Sequence, residues 1–125
     1  MLRTPAPLIG ALGRMKKVIR RVVVAALILV SVYIASCSIQ SENRTKAIES
    51  IAIGDSGKSA IEKLGEPSRR ETPGAPYLIY ATQGCILPCA NRLWWEWPLF
   101  RGIEAWSVEL DSNQKVVEKV HWSSP

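Results

Sequence analysis

Apolar positions follow three regimes along this chain. From Val22 to Ser36 they are nearly continuous, "VVVAALILVSVYIAS". Between Lys46 and Pro67 they are sparse and spaced by three or four residues. Beyond Pro76 they cluster and then alternate. "KAIESIAI" (46–53) places Ile48 and Ile51 on one face and predicts a short amphipathic helix ending at Gly54. "GDSGKSAIEKLGEP" (54–67) predicts a second. Asp55 or Ser56 can cap its start, Ser59 with Glu62 offers a capping box, and Ala60, Ile61 and Leu64 form its apolar face. Gly65 supplies the left-handed position after it, and Pro67 cannot continue it. "SRRETPGAP" (68–76) reads as an irregular loop. "PYLIYAT" (76–82) has strand composition. "AWSVELD" (105–111) alternates Trp106, Val108 and Leu110 against Ser107, Glu109 and Asp111, "DSNQK" turns, and "VVEKVHW" (116–122) returns, so 105–122 predicts an antiparallel hairpin. "LWWEWPLF" (93–100) is a further strand or an apolar loop, and Pro98 places it at an edge or strand end. The expected class is α+β: two short helices packed on an antiparallel sheet of three to four strands.

Charge changes the picture of the N-terminus. The chain has 125 residues and a net charge of +5. Six cations and no acids lie in residues 1–36, whereas the remainder carries ten Lys and Arg against eleven Asp and Glu. The basic character is therefore local, and a nucleic-acid partner for the folded part loses its support. "RMKKVIRR" followed by the 15-residue apolar run has the form of an export signal, because a spanning helix needs roughly 20 apolar residues. Met15, before Lys16-Lys17, is a more typical start than Met1. The run ends in Ile34-Ala35-Ser36-Cys37, which resembles the lipobox of bacterial lipoproteins. That resemblance implies cleavage before Cys37 and acylation of its thiol. Two or three acyl chains suffice for stable anchoring. A single membrane anchor with an incidental cysteine is the rival reading. Ser38, being other than Asp, implies by the Gram-negative sorting rule an outer-membrane location facing the periplasm rather than inner-membrane retention. The expected organisation is a signal segment at 1–36, a lipidated N-terminus with a polar tether at 37–45 ("SIQSENRT" lacks periodicity), and a small domain at 46–125.

With Cys37 assigned to lipid, Cys85 and Cys89 remain as an even pair in an oxidising compartment. Three states are open for them: a disulfide stapling an irregular turn, free buried thiols, or a metal- or redox-active pair. His121 is the only histidine, so a tetrahedral zinc site has too few ligands. No cofactor is expected.

"AIGDSGKS" (52–59) fits a relaxed phosphate-loop pattern. Such a loop must leave a buried parallel strand, and "RTKAIESI" before it is charged at helical spacing. Neither nucleotide nor nucleic acid is expected as a ligand. Gly54 instead reads as a helix end and Lys58 as a solvated side chain. His121 reads as a solvated strand residue, and Glu104, Glu109, Asp111 and Glu118 as the wet face of the hairpin, so no catalytic residue is expected. The best binding candidates are Trp94, Trp95, Trp97 and Phe100, since Trp is enriched at interfaces. If 93–97 is a strand, Leu93, Trp95 and Trp97 face one way, and Trp94 is the member expected to be exposed.

The order Ile53-Gly54, Ser56, Ile61, Leu64-Gly65-Glu66-Pro67, then Tyr77 and Tyr80, then Trp106–Leu110 and Val116–Trp122 resembles the SmpA/OmlA lipoproteins, the BamE-like small subunits of the outer-membrane β-barrel assembly machinery. The resemblance covers residues 48–122 and implies two helices on a small antiparallel sheet. "CILPCANRLWWEWPLF" departs from it, being longer and more apolar than the family's strand connection. The expected function is that of a lipid-anchored, non-enzymatic envelope protein working through protein–protein contacts, accessory to β-barrel assembly in its sharper form. The alternatives are an unrelated protein or peptidoglycan partner, or a thiol–disulfide protein using Cys85 and Cys89.

Overall fold

Alternating apolar residues need both a partner strand and a cover, and the chain supplies both. The computed structural model describes residues 6–98 and 100–123. Its elements are α1 (Ala6–Glu49), α2 (Gly57–Leu64), β1 (Arg69–Glu71), β2 (Asn91–Glu96), β3 (Glu104–Leu110) and β4 (Val116–Ser123). The four strands form one antiparallel sheet in the order β1-β2-β3-β4. The class is α+β. The chain divides into two compact units, Met1–Ser36 and Cys37–Pro125.

In the first unit the apolar side chains from Leu12 to Ile34 lie exposed along α1. By length and composition, Gly10–Glu49 can cross a membrane. The helix runs through residues 34–37 without a break, as a stretch free of Gly and Pro permits.

In the second unit, one sheet face packs under the helices. Leu93, Trp95, Trp106, Val108, Leu110 and Val116 meet Ile48 of α1, Ile51 just after it, and Ala60 and Leu64 from α2. Burying each large side chain contributes about 1.5–3 kcal/mol. Residues 38–45 are helical, which corrects the expected tether. Ser41 Oγ donates to Glu104 (2.6 Å), Arg44 Nη1 to the Glu96 carbonyl (3.0 Å), and Trp106 Nε1 to Thr45 Oγ1 (3.1 Å). This face is polar, so hydrophobic periodicity does not reveal it. The two short helices expected are thus one long helix and one short one. α1 ends at Glu49 rather than Gly54, where Lys119 Nζ bonds the Ile48 and Glu49 carbonyls at 3.0 Å each. For α2, Ser56 is the N-cap, accepting from Ser59 N–H, and Gly65 closes the helix at φ 84°. Ser59 lies inside α2, so the Ser59/Glu62 capping box does not form.

The other face is covered by the irregular segment 72–90. Tyr77 and Ala81 from that segment pack on Trp94 and Ala105. Two expectations fail here: 69–71 is a strand paired to β2, and 76–82 is not a strand. Both follow from Glu71, which is fully buried. Its Oε2 accepts Tyr77 N–H (3.1 Å) and Cys85 N–H (3.0 Å), so these amides bond a carboxylate rather than a strand ladder. Its Oε1 accepts Trp94 Nε1 (2.8 Å) and Arg92 Nη1 (3.2 Å). Arg92 also bonds Glu109 and the Gln83 and Gly84 carbonyls. Removing one partner of a buried, fully bonded ion pair typically costs about 3–5 kcal/mol. Glu71→Ala should therefore lower unfolding free energy by about that amount in a denaturant titration, while an exposed control, Glu66→Ala, should change it by less than about 0.5 kcal/mol.

Candidate binding surfaces at the two ends of the sheet

The expected aromatic surface does not form as one patch. Alternation along β2 puts Trp95 on the helix-covered face and Trp94 on the loop-covered face, and both are fully buried. Trp94 is therefore not the exposed member. It lies under Tyr80, with ring centroids 5.5 Å apart, and beside Trp122 at 5.9 Å. Trp97 is half-buried against the helix-side core, and only Phe100 is open, 63% exposed and 6.3 Å from the Trp97 ring.

Exposed apolar side chains instead collect at opposite ends of the sheet. At the β2–β3 end are Ile79, Phe100 and Ile103, with the exposed Leu78 next to Ile79 in the chain. Ile79 reaches Gly102, whose N–H donates to Tyr80 Oη (2.9 Å). Glu96 is held there by the Tyr77 and Tyr80 hydroxyls at 2.8 and 3.1 Å. Burial first, and then the Glu96 hydrogen bond, push the Tyr77 hydroxyl up to about 12. At the other end, where Ala90 N–H bonds the Leu110 carbonyl, a disulfide joins Cys85 to Cys89 across an irregular turn (Cα–Cα 5.4 Å). Both cysteines are buried, while Ile86 and Leu87 within the ring expose their side chains, Leu87 at 91%.

Beside this turn runs a cleft of about 320 Å³, lined among others by Leu87, Arg92, Glu109, Glu118 and Trp122. Glu109 and Glu118 are directly opposed across β3 and β4. Arg92 pairs with Glu109, which leaves Glu118 facing a carboxylate. Partial burial first, then Glu109, hold the Glu118 carboxyl above its ordinary range. The hairpin carboxylates are thus not all a wet face: Glu109 is ion-paired, and Glu104 bonds His121 at 2.7 Å. His121 also stacks on Trp106 at 5.3 Å. The Glu71–Arg92–Glu109 chain and the Ile86–Leu87 tip are not among the site residues expected from sequence. Ile-Leu inside a five-residue cysteine ring was the available signal for the tip.

At "AIGDSGKS" the backbone amides bond within the chain: Gly54 N–H to the Val116 carbonyl (2.7 Å), Gly57 N–H to Gln114 (2.8 Å), and Ser59 N–H to Ser56 Oγ (3.1 Å). A Cβ on Gly57 would lie 2.6 Å from Leu110 Cδ1, so close packing accounts for this glycine. Cys37, the expected lipidation site, is a free cysteine within α1 and 4% exposed. Among the described residues no group of three or more His, Cys, Asp or Glu is placed to hold a metal ion. The chain matches no family model, no curated protein and no solved structure.

Opposed like charges across a sheet destabilise by roughly 0.2–1 kcal/mol, and exposure of Glu118 puts this pair near the lower end. A raised carboxyl pKa means that the folded state holds the proton more tightly, so the repulsion is complete at neutral pH and fades as pH falls through the folded pKa. Glu118→Gln should raise the thermal midpoint by about 1–3 °C at pH 7, a shift scaled from, and the gain should vanish near pH 4.

Proposed function

We propose that this chain is a membrane-anchored envelope protein whose α+β unit works through protein–protein contact, without catalysis of its own. The observation that carries the reading is the distal tip: Leu87 stands 91% exposed on a disulfide-closed turn beside an acidic cleft. A short covalent ring limits the conformations that the tip must lose on binding, which favours docking. The partner segment would set an apolar side chain against Ile86 and Leu87 and a basic group toward Glu118. Burial of both disulfide cysteines supports a stapling role over thiol–disulfide exchange, which requires access to sulfur.

The anchor is proposed as lipid on Cys37 at the outer membrane, facing the periplasm. Its support is the cationic flank, the apolar run and "IASC". A second reading is favoured by the unbroken α1 and the burial of Cys37: an uncleaved anchor helix. The intact mass of protein purified from membranes separates them. A diacylated chain beginning at Cys37, lost in Cys37→Ala, supports the lipoprotein, and a full-length unmodified chain supports the anchor helix.

The accessory role in β-barrel assembly is proposed from the motif order of residues 48–122 and from the lipobox. A photo-crosslinking residue at Leu87 in intact cells should form an adduct with a barrel-assembly subunit, reduced about ten-fold by Glu118→Lys if the basic contact contributes on the order of 1.4 kcal/mol. Adducts only with other envelope proteins, or only with peptidoglycan, would replace that role with an unrelated partner.

A further inference from the structure

We propose that the apolar rim at the β2–β3 end of the sheet (Ile79, Phe100 and Ile103, with Leu78 next to Ile79 in the chain) seats in the interfacial layer of the bilayer to which the chain is anchored. The inference rests on the anchoring part of the proposed function, in either of its two forms.

The first support is where the chain enters the folded unit. Followed toward its N-terminus, α1 meets Lys119 of β4 at Ile48, Trp106 at Thr45, the last residue of β2 at Arg44 and the first residue of β3 at Ser41. It therefore climbs toward the 97–103 connection. Cys37, where the second unit begins, lies one further turn along, about 6 Å of helical rise. Lipid on Cys37, or an anchor immediately before it, tethers this end of the sheet to the membrane. The Ile86–Leu87 tip lies at the far end of strands six and seven residues long, a distance of roughly 20 Å.

The second support is the chemistry of the rim. Residues 97–103 contain no acid and one cation, the exposed Arg101. The nearest carboxylates are turned to internal donors: Glu96 to Tyr77 and Tyr80, Glu104 to Ser41 and His121. Open apolar and aromatic side chains beside a cation suit the headgroup–acyl boundary, where apolar groups bury to a depth of about 5–10 Å and Arg reaches anionic lipid. A tethered rim needs little intrinsic affinity, because anchoring makes its contact intramolecular.

The test uses full-length Phe100→Trp in vesicles of phosphatidylethanolamine and phosphatidylglycerol, with the signal of the unsubstituted full-length protein subtracted. The added emission should shift to the blue on reconstitution and fall about two-fold with lipids brominated near the headgroup, more than with deeply brominated lipids, as an interfacial depth requires. Phe100 is exposed, so the substitution leaves the core untouched, and thermal melts of both proteins verify the fold. If the protein floats with vesicles while the added Trp stays red-shifted and unquenched, the rim proposal falls and anchoring stands. Protection of that Trp only in native membranes, and not in vesicles, would assign the rim to a protein partner and overturn the proposal. Failure to float removes both.

Discussion

A single buried carboxylate organises the sheet face that the helices leave bare. Glu71 closes a three-residue strand, yet it binds an indole of β2, a guanidinium of β2 and two backbone amides of the covering segment. Few other side chains could satisfy four donors from three places at once. An ionised carboxylate is costly to bury alone and stabilising only when its acceptor sites are filled. The irregular path of 72–90 is the arrangement that fills them. The disulfide turn and the Tyr77–Tyr80 pair are fixed on either side of this centre, so both exposed apolar ends inherit their positions from it.

The second constraint is polar as well. Between Cys37 and Glu49, α1 is held to the sheet by Ser41, Arg44 and Thr45, with Ile48 as its one large buried side chain. This seam sets the end of the sheet toward which α1 runs, that of the β2–β3 connection. The orientation and the docking proposed above are then two consequences of one layout. On the proposed anchoring, the β2–β3 rim belongs to the anchored end, and the Ile86–Leu87 tip with its acidic cleft lies at the other end of the sheet.

Motif and site separate along the same line. "AIGDSGKS" keeps its glycines for local reasons: Gly54 adopts φ 95° in a turn, and Gly57 sits against Leu110. The amides that a phosphate loop would turn toward a ligand bond the strand β4 and the turn before it. The tryptophan cluster likewise has a packing explanation. A sheet covered on both faces needs large side chains on alternate positions of its central strands, and Trp94, Trp95 and Trp106 fill them.

Local order was legible in the sequence wherever one element decided its own structure. The capped helix α2, the 105–122 hairpin, the alternation of Leu93 and Trp95 against Trp94, and the apolar N-terminal run all follow from periodicity and capping chemistry. What the tertiary structure alone decided are the contacts that carry no period: the polar seam of α1, the burial of Trp94 beneath an irregular cover, and the strand at 69–71. Each depends on hydrogen bonds between groups 14 to 63 residues apart. Hydrophobic patterns report which residues leave water, but not which polar groups meet once they have left it.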